Sequence, residues 1–481
     1  MGKPFHPVRA PILFLTQCPM LSGCIVDIPV LGTQHFFSGD RFCVATIPRR
    51  DFMGMLSWAA AFPIQPTRER TVDQALGIKA ATLMHWPGNY GSSFVHHRDG
   101  RLMIFRQDWT VAYSSDAGHT WSSPQRVQVA DKDKLRGPGD ASLTADLRAV
   151  IRLSKDKLGL LSTFHNHYRP KGTRNFPVSR FCWLVSSDEG ITWSNPVHIN
   201  WTGEPIANQP DAVTLTSKGR IIIPVDVYSC RHKGMYPDLG AYGILKGKRV
   251  LIEGHTHYPE MNVAFVYYSD DEGQTWSRSE SEIFIWKDNG YGGNWSLTET
   301  QVAELRDNRL LLFGRTTLGR IYQSFSNDGG TRWTEPQPTD LASSFSPCRL
   351  RRIPKTGDLL CLWNQLSADE IRRGFRRSRI SAAISRDDAK TWERYKTVDV
   401  GGVPPAGRIE PETPQFIRAA KDVGKLPDDF AVVSYPNVGF HDDTILITYY
   451  KDQYLRITGE ESGGGESDYP LLALPLKWLY D

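Results

Sequence analysis

Ser114-Ser115-Asp116-Ala117-Gly118-His119-Thr120-Trp121 is the stretch whose reading decides the fold. The same pattern, Ser-x-Asp-x-Gly-x-Thr-Trp, returns intact from Ser186 to Trp193 and from Ser269 to Trp276. Two looser copies follow. Ser326–Trp333 shifts the Thr by one position, and Ser385–Trp392 carries Ala389 in place of the Gly. Within the octapeptide an Asp carboxylate accepts turn amides, the Gly tolerates a positive φ, and the Trp is large enough to bury itself between neighbouring sheets. The copies stand roughly 60 to 80 residues apart, the period of a radial array of sheets.

The context of each copy repeats as well. Upstream lie two apolar strands, Ser92–His97 and Leu102–Phe105, joined by a turn at Asp99-Gly100. Equivalent pairs are Val213–Thr216 with Ile221–Val225, Gln301–Leu305 with Leu310–Gly314, and Arg349–Ile353 with Leu359–Trp363. A third strand, such as Arg180–Val185 or Ala264–Tyr268, runs into the octapeptide, and a fourth after the Trp would complete a four-stranded blade. A sixth unit without an octapeptide is Val432–Phe440 followed by Thr444–Tyr450, with Leu471–Trp478 as an outer or closing strand. The expectation is an all-β, six-bladed β-propeller, because a closed ring leaves no open sheet edge.

Composition agrees and narrows the function. Among 481 residues, 41 Gly, 31 Pro, 14 Trp, 18 Tyr and 21 Phe suit an all-β chain, and 40% hydrophobic with 23% charged residues excludes disorder. A net charge of +4, with no dense basic stripe, argues against a nucleic-acid partner. Seven Cys without a CxxC pair support no zinc site, and neither a metal nor a cofactor is expected. No run of eighteen apolar residues is present, so no spanning helix is expected. Residues 1–70 read differently. Arg49-Arg50 precedes the apolar Met55–Phe62, which resembles a twin-arginine export signal with cleavage near Ala61. That predicts an N-terminal extension over 1–70, a propeller over 71–481, and an exported protein.

In a propeller the loops at one end of the inner strands converge on a funnel, so polar residues that interrupt the apolar pattern there are site candidates. At the start of the innermost strands these are Tyr90, Asp140, Asn208 with Asp211, Glu299, Arg349 and Tyr435. At the end of the second strands they are Arg106 with Asp108, His165 with His167, Asp226, Arg315, Asn364 and Tyr450. So many ionisable groups at one end call for a polar ligand.

The octapeptide is the Asp box, and the six-unit arrangement over residues 80–455 resembles the sialidase superfamily of β-propellers. The Asp-box carboxylates Asp116, Asp188, Asp271, Asp328 and Asp387 are expected at blade turns, with no catalytic role. The stretch Thr298–Arg315 is similar to the sialidase segment with a Glu and then an Arg. The resemblance implies that Glu299 partners a Tyr nucleophile and that Arg315 binds a substrate carboxylate. Arg377 is implied as a second clamp, with Arg376 and Arg379 competing for the role. Ser434-Tyr435-Pro436 resembles the segment presenting the nucleophile, although one alignment puts Val433 there.

Two features depart from the family. Asn89–Phe94 lacks the Arg of the first inner strand, and the loop after the second strand of the first blade is short. Asp108 is then the nearest acid/base, and Arg106 stands in for the missing clamp. Asp140, His165 and Asp226 remain open as proton donors, and Asp140 and Asp226 also as substrate contacts. The implied reaction is retaining exo-hydrolysis of a terminal acidic sugar from a glycan. The rival readings are a lyase using His165, His167 and Tyr168, with a weak metal signal at His255 and His257, and a glycan-binding propeller stacking sugars on Trp109, Tyr291 and Trp295.

Overall fold

The runs Leu102–Phe105, Ile221–Ile223, Leu310–Phe313 and Leu359–Trp363 are apolar at every position, which a strand requires when both its faces are covered. In the computed structural model each belongs to the second strand of an antiparallel sheet. The structure describes residues 82–84, 88–89, 91–130, 144–168, 176–200, 206–230, 242–245, 248–251, 260–286, 294–413, 416–420, 422–452 and 469–481. The chain divides into two compact units, Met1–Pro66 and Thr67–Asp481, and all described residues belong to the second. The export signal expected near Arg49-Arg50 lies outside them, as do Tyr90, Asp140, Tyr291, His255 and His257.

Six sheets form the blades. Blade 1 is Ser93–His96, Leu102–Arg106, Thr110–Ser114 and Gln125–Arg126; blade 2 is Thr144–Ser154, Lys157–Tyr168, Phe176–Ser186 and Val197–His198. Blade 3 has Ile221–Cys230, Glu260–Ser269 and Ser277–Arg278, with Ile206–Ala207 and Thr214–Leu215 both pairing the inner side of Ile221–Cys230. Blade 4 is Thr298–Glu304, Leu310–Arg315, Arg320–Ser326 and Gln337–Ala342; blade 5 is Arg349–Arg352, Leu359–Asn364, Arg379–Ser385 and Glu393–Val400. Blade 6 joins Val432–His441, Thr444–Asp452 and Leu471–Pro475 to Thr82–Met84.

The closing strand corrects the sequence expectation. The C-terminal segment ends as a strand at Pro475 and supplies the third strand, while Leu476–Leu479 forms a 3-10 turn. The outermost place is taken by Thr82–Met84, paired antiparallel with Leu83 opposite Leu472. Three residues are too few for a periodic signal, yet they carry the closure, because they cover the edge that Leu471–Pro475 would otherwise present.

Alternation along the second strands assembles the core. Met103 and Phe105 enter a cluster shared with blade 2, whereas Leu102 and Ile104 pack with Leu446 and Leu471 of blade 6. Leu311 and Phe313 face blade 5, and Leu310 and Leu312 face blade 3. Each apolar cluster of this kind is a seam between two neighbouring blades, so the period-2 rule of a strand becomes the radial order of the ring.

The Asp boxes close the turns at the far end of the blades. In the first copy, Ser114 Oγ donates to Asp116 Oδ1 at 2.8 Å, and the Thr120 amide and hydroxyl donate to the same carboxylate at 2.8 and 2.6 Å. The Thr275 hydroxyl and amide hold Asp271 down to about 2. The residue before the Gly, or before Ala389 in the fifth copy, has positive φ throughout, from Ala117 at 57° to Gly329 at 70°. The Trp enters the seam with the preceding blade: Trp193 lies 6.1 Å from Phe105 and Trp276 5.4 Å from Trp183. No helix among the described residues is long and apolar enough to cross a membrane.

Candidate active site

Glu299 and Tyr435 occupy the same irregularity in two different blades. In blade 4, Thr298 pairs with Arg315 and Gln301 with Phe313, so Glu299 and Thr300 together face Gly314. In blade 6, Ser434 pairs with Tyr450 and Asn437 with Thr448, so Tyr435 and Pro436 together face Tyr449. Each is a bulge that lifts its first residue out of the strand's alternation. Glu299 has φ 46° and Tyr435 φ 53°, values that non-glycine residues adopt at a cost and that cluster at functional sites. Gly314 is required opposite the first bulge, because a Cβ there would meet Leu297 Cδ1 at 2.2 Å.

The two bulges converge across blade 5. Tyr435 Oη donates to Glu299 Oε1 at 2.9 Å, joining residues 136 positions apart. Val433, the other candidate for the Tyr position, is fully buried in the seam between blades 5 and 6. In a regular strand residues 433 and 435 would share a face, so it is the bulge that separates the two and delivers Tyr435.

The arginines sort by burial. Arg315 Nη1 pairs with Glu299 Oε2, and the guanidinium lies 3.8 Å from the centroid of the Phe345 ring. With Arg315 only 3% exposed, the guanidinium as placed serves Glu299. Half-buried Arg377 sits with Cζ 5.3 Å from the Tyr435 ring centroid. Arg379 is buried and committed to Glu370 at 2.6 Å and to the carbonyls of Gln365 and Pro404; Arg376 is exposed. Of the three competitors, Arg377 alone is brought to the Tyr435–Glu299 pair by these contacts.

The remaining expected residues have partners of their own. Asp108 accepts from Thr110 Oγ1 at 2.6 Å and pairs with Arg106 at 3.1 Å, so both stay engaged within their own loop. Asp226, expected as a substrate contact or proton donor, is 1% exposed beneath the Glu299 turn. Its Oδ2 accepts from Asn262 Nδ2 at 2.7 Å and Thr298 Oγ1 at 2.8 Å, and its Oδ1 from the Glu299 amide at 2.9 Å. Burial pushes Asp226 up to about 7. Its carboxyl is thus enclosed by donors from two blades. The backbone of His165 and His167 lies in the second strand of blade 2, and their side chains lie outside the described residues.

Several rim candidates instead build an axial girdle. Arg349, buried at 1% exposure, donates to the carbonyls of Pro210 and Asp211 at 2.7 Å each and to Gln301 Oε1 at 3.0 Å. Asp211 also accepts from Ser93 Oγ at 2.8 Å, and Asn437 Nδ2 donates to the Ser92 carbonyl at 2.6 Å. Asn364 bridges the carbonyls of Arg379 and Val433, and Asn208 Nδ2 reaches the Pro224 carbonyl at 2.7 Å. Burial lowers Arg349 to about 9, a cost tolerated because its donors are met by carbonyl oxygens of other blades. Trp295 is fully buried against Phe416 and offers no stacking platform, while half-buried Trp109 packs beside the seam of blades 1 and 2 with its N–H on the Ala145 carbonyl at 2.7 Å. Phe345 and the supporting role of Asp226 were not read from the sequence; no periodic pattern marks either.

Blades, Asp boxes and a phenol–carboxylate pair at the mouth define an Asp-box β-propeller of the sialidase and BNR-repeat type. The chain belongs to the BNR repeat-like domain family, which matches residues 155–473, well over half of its length. No curated protein matches it. A solved protein of unknown function from Dyadobacter fermentans is similar, with TM-score 0.51 and 16% identity over 82% of this chain and 98% of that one. The Trypanosoma rangeli sialidase in complex with sialic acid gives TM-score 0.45 and 16% identity over 80% of this chain, which spans only 53% of the sialidase. The leech intramolecular trans-sialidase gives 0.48 and 13%, over 86% of this chain and 71% of that one. At these identities the likeness is one of fold.

Proposed function

We propose that the protein is a sialidase-type glycoside hydrolase that removes a terminal acidic sugar from a glycan with retention of configuration. The observation that carries this reading is the 2.9 Å hydrogen bond from Tyr435 to Glu299, formed by two matched bulges. A sugar with a carboxylate at its anomeric carbon repels an anionic nucleophile, whereas a phenol stays neutral until a neighbouring base takes its proton. Glu299 accepts that proton as Tyr435 Oη bonds to the anomeric carbon and the glycosidic bond breaks. Arg315 keeps Glu299 oriented. Arg377, beside the Tyr435 ring, is assigned to the sugar carboxylate, for which a planar guanidinium supplies two parallel donors.

Asp108 is assigned as the acid that protonates the departing oxygen and then activates water. Its replacement by Asn should slow glycosides of poor leaving groups far more than activated aryl glycosides. Export through the Arg49-Arg50 segment belongs to the same proposal, and the N-terminus of the exported protein is expected near residue 61.

The direct experiment incubates the purified protein with aryl α-N-acetylneuraminide, aryl β-glucuronide and aryl β-galactoside. Turnover of an acidic glycoside, with the product released first as the substrate's anomer and abolished in Tyr435→Phe, is the expected result. Turnover untouched by Tyr435→Phe, or none with any acidic glycoside, overturns the reading.

A further inference from the structure

Asp226 has no part in the chemistry just described, yet it accepts two hydrogen bonds from the Glu299 turn, one from the Thr298 hydroxyl and one from the Glu299 amide. It lies in the second strand of blade 3, opposite Ala207 on one side and Ala264 on the other. Its donors come from both sheets: Asn262 from blade 3, and the Thr298 hydroxyl and Glu299 amide from blade 4. Among the described residues it forms no ion pair. Its carboxyl is held by hydrogen-bond donors alone, and two of the three belong to the Thr298–Glu299 turn.

We propose that Asp226 is the positioning residue of this site: from blade 3 it clamps the Thr298–Glu299 turn of blade 4 and thereby fixes the Glu299 carboxylate against the Tyr435 hydroxyl. The physical need is specific. A bulge leaves an amide without a ladder partner, and a buried amide must find an acceptor. The Glu299 amide finds Asp226 Oδ1 at 2.9 Å. Thr298, immediately before the bulge, is tied to the other oxygen, so the two bonds flank the backbone whose φ is 46°. Arg315 restrains the same side chain at its tip, and Asp226 restrains it at its root.

The role rests on the reading of Glu299 as the base, and the test separates the two. In the full-length protein, Asp226→Ala and Asp226→Asn are compared with the unsubstituted chain by peptide-resolved hydrogen exchange and by turnover of an acidic aryl glycoside. Asn keeps one acceptor oxygen, and its amide can donate to Asn262 Oδ1, which has no other partner. In Asp226→Ala, exchange over residues 296–305 should rise at least about 10-fold while the strands of blades 1 and 6 keep their protection. Its kcat should fall about 100-fold, the scale of a small misplacement of a reacting group, with KM within about twofold. Asp226→Asn should recover most of both. Unchanged exchange at 296–305, exchange raised throughout the ring, or local loosening with unchanged kcat would each overturn the proposal. A protein that turns over no acidic glycoside but loosens locally in Asp226→Ala refutes Glu299 as base and leaves the clamp standing.

Discussion

The Glu299–Arg315 pair lends itself to a double-mutant cycle. Glu299→Gln leaves a guanidinium that is 3% exposed facing a neutral amide. Breaking a fully buried pair costs about 3–5 kcal/mol. Two features reduce that here. The Glu299 side chain is 18% exposed, and the Phe345 face, 3.8 Å from Arg315 Cζ, contributes about 1 kcal/mol of cation–π attraction. A loss of about 3 kcal/mol is therefore expected for Glu299→Gln. Arg315→Met leaves a carboxylate that still meets solvent and the Tyr435 hydroxyl, for a loss of about 1–2 kcal/mol. The double variant replaces both charges with neutral groups of similar size and should cost at most about 1 kcal/mol, a coupling of about 3–5 kcal/mol. Urea midpoints at unchanged m-value measure all four corners. Single losses that add to within about 0.5 kcal/mol would refute the pairing and with it the reading of Arg315 as the support of Glu299.

Burial raises Asp226 to about 7, so between its unfolded value near 4 and that point the folded chain holds a proton the unfolded chain lacks, and stability falls as pH rises through this window. The stability of Asp226→Asn relative to the parent should accordingly improve by on the order of 4 kcal/mol from pH 4 to 8, and parallel pH curves would refute it. Asp388, in the fifth Asp box, pairs with Arg306 and Arg352 at the inner turns of blades 4 and 5. Asp388→Ala should cost about 1–2 kcal/mol in urea unfolding with kcat unchanged; a catalytic defect would contradict its placement. Deleting residues through Met84 strips the outer strand from blade 6, whereas deleting through Pro66 leaves it. The longer deletion should melt below the shorter one and promote association through the bared Leu471–Pro475 edge, as followed by light scattering.

Blade number and blade order follow from patterns carried by neighbours in sequence. An Asp, a Gly and a Thr within eight residues specify a turn, and an unbroken apolar run such as Leu310–Phe313 specifies a strand covered on both faces. Glu299, Tyr435 and Arg315 stand out on the same local basis, as polar interruptions of those runs. Which of them meet is another matter. Tyr435 rather than Val433, and Arg377 rather than Arg379, depend on a bulge and on burial that appear only when blades 4, 5 and 6 stand side by side. The donors that enclose Asp226 come from two sheets, which no local pattern announces. The last strand of the ring comes from the opposite end of the chain. Turn and strand preferences are settled within a few residues, but a hydrogen bond across 136 positions exists only after ring closure brings its ends together.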